Sequence, residues 1–249
     1  MFRFFYLISL VLISLNILNG CASAPRAEVY LPKGSKIGFI SLIEPHPVLA
    51  HNGFTAFTKE VLVRDEDWDI TNRVLTSITG PLNANGYSVK VLPATDLLKL
   101  KKTAILGFAW TTLDLSSIVA HEIERYGKEM DVDAIIILAP VMHEGRHGVE
   151  GTFYGYGLLR TCPLGPCSYL PLDNIVLFVT QTSPPLLIGV DNSKPRLSEL
   201  AIDYDGEFED LPSEEFNKAE DPVFKATLKN AKNALIDANL IDGPLDHKN

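Results

Sequence analysis

Cysteine is scarce in this chain of 249 residues, which has three, at Cys21, Cys162 and Cys167. So few thiols cannot furnish the two cysteine pairs of a zinc ribbon. The one close pair, spaced Cys-x4-Cys, is not the Cys-x-x-Cys of a thiol oxidoreductase. Positive charge is also short: 22 Lys and Arg face 31 Asp and Glu, a formal net charge of −9, with acid gathered between Asp203 and Asp221. This balance argues against electrostatic capture of nucleic acid or of anionic lipid. There is no Gly-x-Ser-x-Gly elbow, and Gly34-Ser35-Lys36 precedes a strand instead of joining strand to helix. No glycine-rich loop follows the first strand, so dinucleotide and P-loop phosphate binding lose their support. A long apolar run is missing too. The run from Phe4 to Leu18 falls short of the roughly 20 residues that span a membrane.

What is present begins at the N-terminus. Arg3 precedes the apolar and small-polar stretch from Phe4 to Leu18, which has the form of an export signal. The stretch ends in Leu18-Asn19-Gly20-Cys21, which resembles a bacterial lipobox. That resemblance implies thioether lipidation of Cys21, cleavage before it, and acylation of the new amino terminus with palmitate-type chains. Two or three chains, at about 0.8 kcal/mol per buried methylene, hold where a single chain does not. Ala22 in place of aspartate implies sorting to the outer membrane, with the domain on the periplasmic side. An ordinary secretory cut near Ala22-Ser23-Ala24 is the alternative. Residues 1–20 are therefore read as a signal peptide, 21–35 as a lipidated tether and 36–249 as one domain. Loss of Arg3 with the leader takes the formal charge from −9 to −10. In an oxidising periplasm Cys162 and Cys167, which bracket Pro163, Gly165 and Pro166, are expected to close a small disulfide loop.

Along the domain, Lys36–Ile43 is a short β-branched run and predicts a strand. Pro45 and Pro47 argue against regular structure in the next stretch. Asn52-Gly53 is a hairpin-turn signal, and Gly53–Phe57 is a second short strand. After Asp69, residues Ile70, Val74, Ile78 and Leu82 recur every fourth position, with Leu75 beside them, and predict a helix that Asn85-Gly86 stops. Tyr87–Leu92 alternates as a strand. Leu115, Ile118, Val119, Ile123, Tyr126 and Met130 form the apolar stripe of a second helix, with Asp114 or Ser116 as its cap. Glu122, Glu124, Arg125 and Lys128 lie mostly off that stripe. Asp133–Pro140 is apolar without alternation, the pattern of a central strand covered on both faces. Gly151–Leu159, Asn174–Gln181 and Pro185–Val190 predict further strands, and Arg160–Pro171 a stiff exposed loop. Asp221-Pro222 starts a closing helix that carries Val223, Phe224, Leu228, Ala231, Leu235 and Ile236. The order predicts an α/β fold of two or three layers: a mixed sheet with parallel core strands, an antiparallel C-terminal extension and a closing helix.

One segment carries a chemical signal. His143-Glu144-Gly145-Arg146-His147 matches the His-Glu-x-x-His spacing by which zincins place two imidazoles on one helix face, with the glutamate as general base. Pro140, Gly145, Gly148 and Gly151 surround it, and each glycine costs a helix about 1 kcal/mol relative to alanine. A helix-borne zincin site is thus disfavoured, and a polar connection is the plainer reading. In a looser version His143 and His147 meet His46 and His51, with Glu144 or Glu150, on one rim of the sheet and bind zinc or copper. His121 is expected to pack at the edge of a helix, and His247 carries no signal. The acidic run Asp65–Asp69 lacks the spacing and glycine of a calcium loop and reads as a solvated helix lead-in. Phe153, Tyr154 and Tyr156 are read as packing aromatics.

The series KIGFISLI, FTAF, DWDI, DAIIILAP and Gly155-Tyr156-Gly157-Leu158-Leu159-Arg160 resembles an uncharacterised family of exported bacterial α/β lipoproteins, over most of Lys36–Val190. None of these motifs is a catalytic signature. More remotely, the plan resembles envelope lipoprotein domains of the CsgG and LpoB type, although the long amphipathic hairpins of a CsgG-type pore are missing. The resemblance implies a fold and an address; architecture alone does not imply an activity. Two functions stand at this point. One is a non-enzymatic envelope lipoprotein, membrane-bound through its lipid and needing no cofactor, that recruits a protein or cell-wall partner. The other is a zinc-dependent hydrolase or metal carrier that uses His143 and His147.

Overall fold

The computed structural model describes residues 31–52, 59–93, 117–140, 155–162, 167–191, 198–204 and 206–243. Lys36–Ser41 forms β1, which lies between β4 (Ser88–Val91) and β5 (Ala134–Pro140) and is parallel to both. The long strand β7 (Ser168–Thr182) pairs antiparallel with β5 through Ile175–Gln181 and with β6 (Gly155–Thr161) through Ser168–Asn174. It also pairs with β8 (Pro185–Val190). On the far side of β6 lie β2 (Val48–Asn52) and β3 (Lys59–Val63), giving the order β3-β2-β6-β7-β5-β1-β4 with β8 beside β7. The mixed sheet with a parallel core and an antiparallel extension is as expected. The parallel pairing of β2 with β6 is an addition.

Three layers result from the strand alternation. Every residue of β5 is buried. Ala134, Ile136 and Leu138 join the core beneath two helices, α1 (Ile70–Ala84) and the closing helix. Ile135, Ile137 and Ala139 face the other way, onto Ile123 and Tyr126 of α2 (Ser117–Met130). Helix α1 buries the four side chains Ile70, Val74, Ile78 and Leu82, one per turn. It ends where Gly86 takes φ +88°, a conformation that costs a Cβ-bearing residue energy. There the Gly86 N–H donates to Asn83 O and the Tyr87 N–H to Leu82 O, the two bonds of a Schellman cap.

Several expectations need correction. Pro47 does not hold the next residues out of the sheet, because proline is tolerated just before a strand: its carbonyl accepts the Arg64 N–H at 2.9 Å and Val48 starts β2. The strand expected at Gly53–Phe57 lies outside the described residues. The loop expected at Arg160–Pro171 is sheet at both ends, Arg160–Thr161 in β6 and Ser168–Pro171 in β7, with Leu159↔Leu170, Arg160↔Tyr169 and Leu158↔Pro171 in register. The closing helix α4 spans Glu220–Asp237, after a short α3 (Ser213–Asn217), and Ala219 rather than Asp221 stands at its N-cap. The packed chain also starts ahead of β1, since Leu31 is buried in the core and its carbonyl accepts the Tyr87 hydroxyl.

Gly157 governs the pairing of β2 with β6. Its φ is +151°, and a Cβ there would lie 1.9 Å from Val48 O. Only glycine permits this approach, so the sequence Gly155-Tyr156-Gly157 is a packing device. Tyr156 fits the same reading: it is buried, tilts against Trp68 with ring centroids 5.9 Å apart, and donates its hydroxyl to Pro45 O.

Candidate functional site

Cys21, His143, Glu144, His147, Glu150 and His247 lie outside the described residues. The segment that carries His143 and His147 is preceded by Pro140 of β5, opposite Ile175, and followed by Gly155 of β6, opposite Asn174. Both ends are thus anchored at one level of β7. Cys162 and Cys167 form a disulfide that closes the β6–β7 hairpin just beyond its last pair, Thr161↔Ser168.

His46 and His51 sit in different settings. His46 is exposed, and its Nδ1 lies 3.3 Å from Glu66 O. His51 sits inside β2, three strands away from β5, with its ring 5.2 Å from that of Phe208. His121, expected to be partly buried, is exposed, because the stripe of α2 runs through Ile123 and Tyr126 instead. Among the described residues no three His, Cys, Asp or Glu side chains are placed to hold a metal ion.

His51 belongs to a row that crosses the sheet. Glu60, His51, Arg160 and Tyr169 are successive cross-strand partners on β3, β2, β6 and β7, so their side chains share one face. His51 Nδ1 and Arg160 Nε are both buried without a hydrogen-bond partner. Burial, and then the Arg160 guanidinium, push the His51 pKa down. The imidazole is therefore neutral at pH 7, and the adjacent cation disfavours a metal ion there.

Among the described residues β3 is one edge of the sheet. Arg64, one residue past it, grips Glu66 with two bonds, Nε to Oε2 at 3.2 Å and Nη2 to Oε1 at 3.0 Å. Its guanidinium also lies 5.0 Å from the centre of the Phe216 ring. The ion pair holds the Glu66 carboxyl down at about 2, against the opposing effect of burial. Trp68, buried beside them, donates Nε1–H to Asn217 Oδ1 at 2.8 Å and stacks at 5.0 Å on Phe216. Leu62, Val63 and Arg64 at this edge, with Glu66, Glu209 and Ser213, are among the residues that line an open cleft of about 510 Å3. Val61 and Val63, whose side chains alternate with those of Leu62 and Arg64 along the strand, are 50% and 69% exposed. The acidic lead-in thus has a structural use that composition did not disclose: Arg64 and Glu66 clamp the edge to α3.

A second polar centre lies under α4. Asp173 of β7 meets Thr227, whose hydroxyl is 2.9 Å from Asp173 Oδ1 and 3.0 Å from Val223 O. Asp173 Oδ2 is buried and unpartnered, as is Asn230 Oδ1 one turn beyond Thr227. Burial pushes the Asp173 carboxyl up to about 7, against the Thr227 and Ile175 hydrogen bonds. The sequence signal was Asp173-Asn174 interrupting an apolar run.

Fold and site together define a three-layer mixed α/β domain with an open sheet edge and a buried carboxyl. No protein-family model matches the chain, and no curated protein matches it. Two solved structures align with it. One is the lipoprotein GNA1162 from Neisseria meningitidis, 12% identical over 67% of this chain and 79% of that one, with a TM-score of 0.25. The other is a PelC dodecamer from Paraburkholderia phytofirmans, 9% identical over 79% of this chain and 94% of that one, also with a TM-score of 0.25. At such scores neither likeness bears on function.

Proposed function

We propose that this chain is an envelope lipoprotein, held through Cys21 on the periplasmic side of the outer membrane, whose folded domain is a non-enzymatic binding module. The observation that carries this reading is Leu18-Asn19-Gly20-Cys21 placed so close to the packed domain. Leu31 is already buried in the core, and ten extended residues reach at most about 35 Å. A lipid on Cys21 holds the domain within that distance of the bilayer, which suits a recruiter of protein or cell-wall partners. The use of the polar groups also supports binding: Arg64 is committed to Glu66, and Arg73 to Glu220 and Asp221. His51 is committed to packing. The metal-dependent alternative rests on His143 and His147 with Glu144 or Glu150, since His46 and His51 have other contacts.

The test is metabolic labelling with an alkynyl fatty acid, followed by separation of inner and outer membranes. Label on the wild-type chain in the outer-membrane fraction, lost with Cys21→Ala, is the expected result. An unlabelled wild-type chain in the soluble periplasm would mean that ordinary secretion is correct.

A further inference from the structure

Among the described residues β3 pairs only with β2 and its other edge has no partner strand, an arrangement that suits a second copy of itself. Arg64 N–H donates to Pro47 O in the ladder with β2. By the alternation of an antiparallel ladder, Leu62 and Glu60 also bond inward, and the N–H and C=O groups of Val61 and Val63 point away from β2. These groups sit beside the exposed Val61 and Val63 side chains. An open edge that carries exposed valines is one that folded proteins normally cover or blunt.

We propose that two copies of this chain pair antiparallel through β3, about a two-fold axis at Leu62, to give one sheet that is continuous across the dimer. The sequence Glu60-Val61-Leu62-Val63-Arg64 is complementary to itself in that register. Val61 falls opposite the partner's Val63 in a hydrogen-bonded pair, using the outward backbone groups. Leu62 falls opposite the partner's Leu62, and Glu60 opposite the partner's Arg64. All four exposed valines then meet on one face, next to Val48 and Ala50. On the other face the partner's Leu62 comes against the open cleft beside this edge. Arg64 uses Nε and Nη2 on Glu66, which leaves Nη1 for the partner's Glu60. A shift of the axis by one residue would put Val61 opposite Val61 and Glu60 opposite Leu62, with no charge pair. Opposed charges and apolar cross-strand pairs both favour the register at Leu62. The pairing does not depend on the lipid: with Cys21 acylated the dimer sits at the membrane, and without it the dimer is soluble.

The test uses the full-length chain in isolated envelopes and in the soluble fraction, treated with an oxidant and run without reductant. In the proposed register Leu62→Cys stands opposite itself in a non-hydrogen-bonded pair, with Cα atoms about 4.5 Å apart, within disulfide reach. The expected result is a reducible dimer for Leu62→Cys and none for Glu60→Cys. Adding Val61→Lys and Val63→Lys to Leu62→Cys should abolish the dimer, since both side chains are exposed and the domain still folds. Sedimentation of the otherwise wild-type detergent-solubilised chain should show self-association weakened at least about tenfold by the two lysines. A monomer at about 100 μM, where even a weak specific interface associates, would overturn the proposal. So would a dimer indifferent to the lysines, or a Leu62→Cys variant that crosslinks to a different protein instead of to itself.

Discussion

Asp173 offers the sharpest test of the energetics under α4. Its carboxyl is pushed up to about 7 from an ordinary value of 3.8 by burial. The Thr227 hydroxyl, shared between Asp173 Oδ1 and Val223 O, opposes that rise without cancelling it. The folded state therefore holds a proton that the unfolded chain releases near pH 4. Stability from this group is fully present below that unfolded value, declines as pH rises, and is gone above about 7. The full difference is about 4 kcal/mol, and about 2 to 3 kcal/mol of it falls between pH 5 and 7.5. Asp173→Asn keeps the shape and cannot ionise. Urea unfolding of the chain from Ala22 onward, wild type against variant, should show the difference in stability moving in favour of the variant by that amount as pH rises. His51 has the opposite sign. Its lowered pKa makes stability fall as pH drops below 6.5, but it is common to both proteins and cancels in the difference. A difference that stays flat across the interval would refute the buried, protonated carboxyl.

Gly157→Ala should cost more than about 3 kcal/mol and free the β2–β3 hairpin, read as a lower melting temperature and early proteolysis there, because its Cβ would overlap Val48 O. Arg64→Gln removes the ion pair and its two hydrogen bonds from a Glu66 side chain that is only 14% exposed, leaving Ser213 as its side-chain partner. It should destabilise by about 2 kcal/mol at pH 7. That loss shrinks as pH falls from 4.5 toward 2, where Glu66 protonates in the wild type as well. Replacing Cys162 and Cys167 together by serine opens a loop with a sequence separation of 5, worth about 2 kcal/mol by chain entropy, measured by urea unfolding. Elemental analysis after exposure to zinc and copper should find no stoichiometric metal, in the wild type or in the His143→Ala, His147→Ala variant. Metal bound to the first and lost from the second would revive the hydrolase or carrier reading.

The elements that were legible in the sequence are those whose burial is periodic. Ile70, Val74, Ile78 and Leu82 all lie on one buried face of α1, and Asp133–Pro140 lacks alternation because β5 has a helix layer on each side. What misled was local chemistry read without its tertiary partner. Proline at position 47 suggested irregularity, yet only the N–H of such a residue is missing, and its carbonyl still enters the ladder with Arg64. The prolines and glycine near Cys162 suggested a long loop, yet the disulfide needs only the few residues between two strands that pair up to Thr161↔Ser168.

The site was less legible for a related reason. His143-Glu144-x-x-His147 is conspicuous because its spacing is local, whereas the groups with unusual environments are made by strands distant in sequence. His51 meets Arg160, and Asp173 meets Thr227, only through the order β3-β2-β6-β7 and the docking of α4. Asp173-Asn174 interrupting an apolar run marks the position, but what covers it is a helix far downstream, with Thr227 at a separation of 54. The self-complementarity of Glu60 to Arg64 is a different case. The five residues are plain in the sequence, but their meaning depends on β3 being an edge and on which of its backbone groups point outward. Only the ladder with β2 supplies that. Edge strands therefore need a topology before their sequence can be interpreted, and a short charged, valine-bearing strand that looks unremarkable in isolation becomes a specific surface once its open side is known.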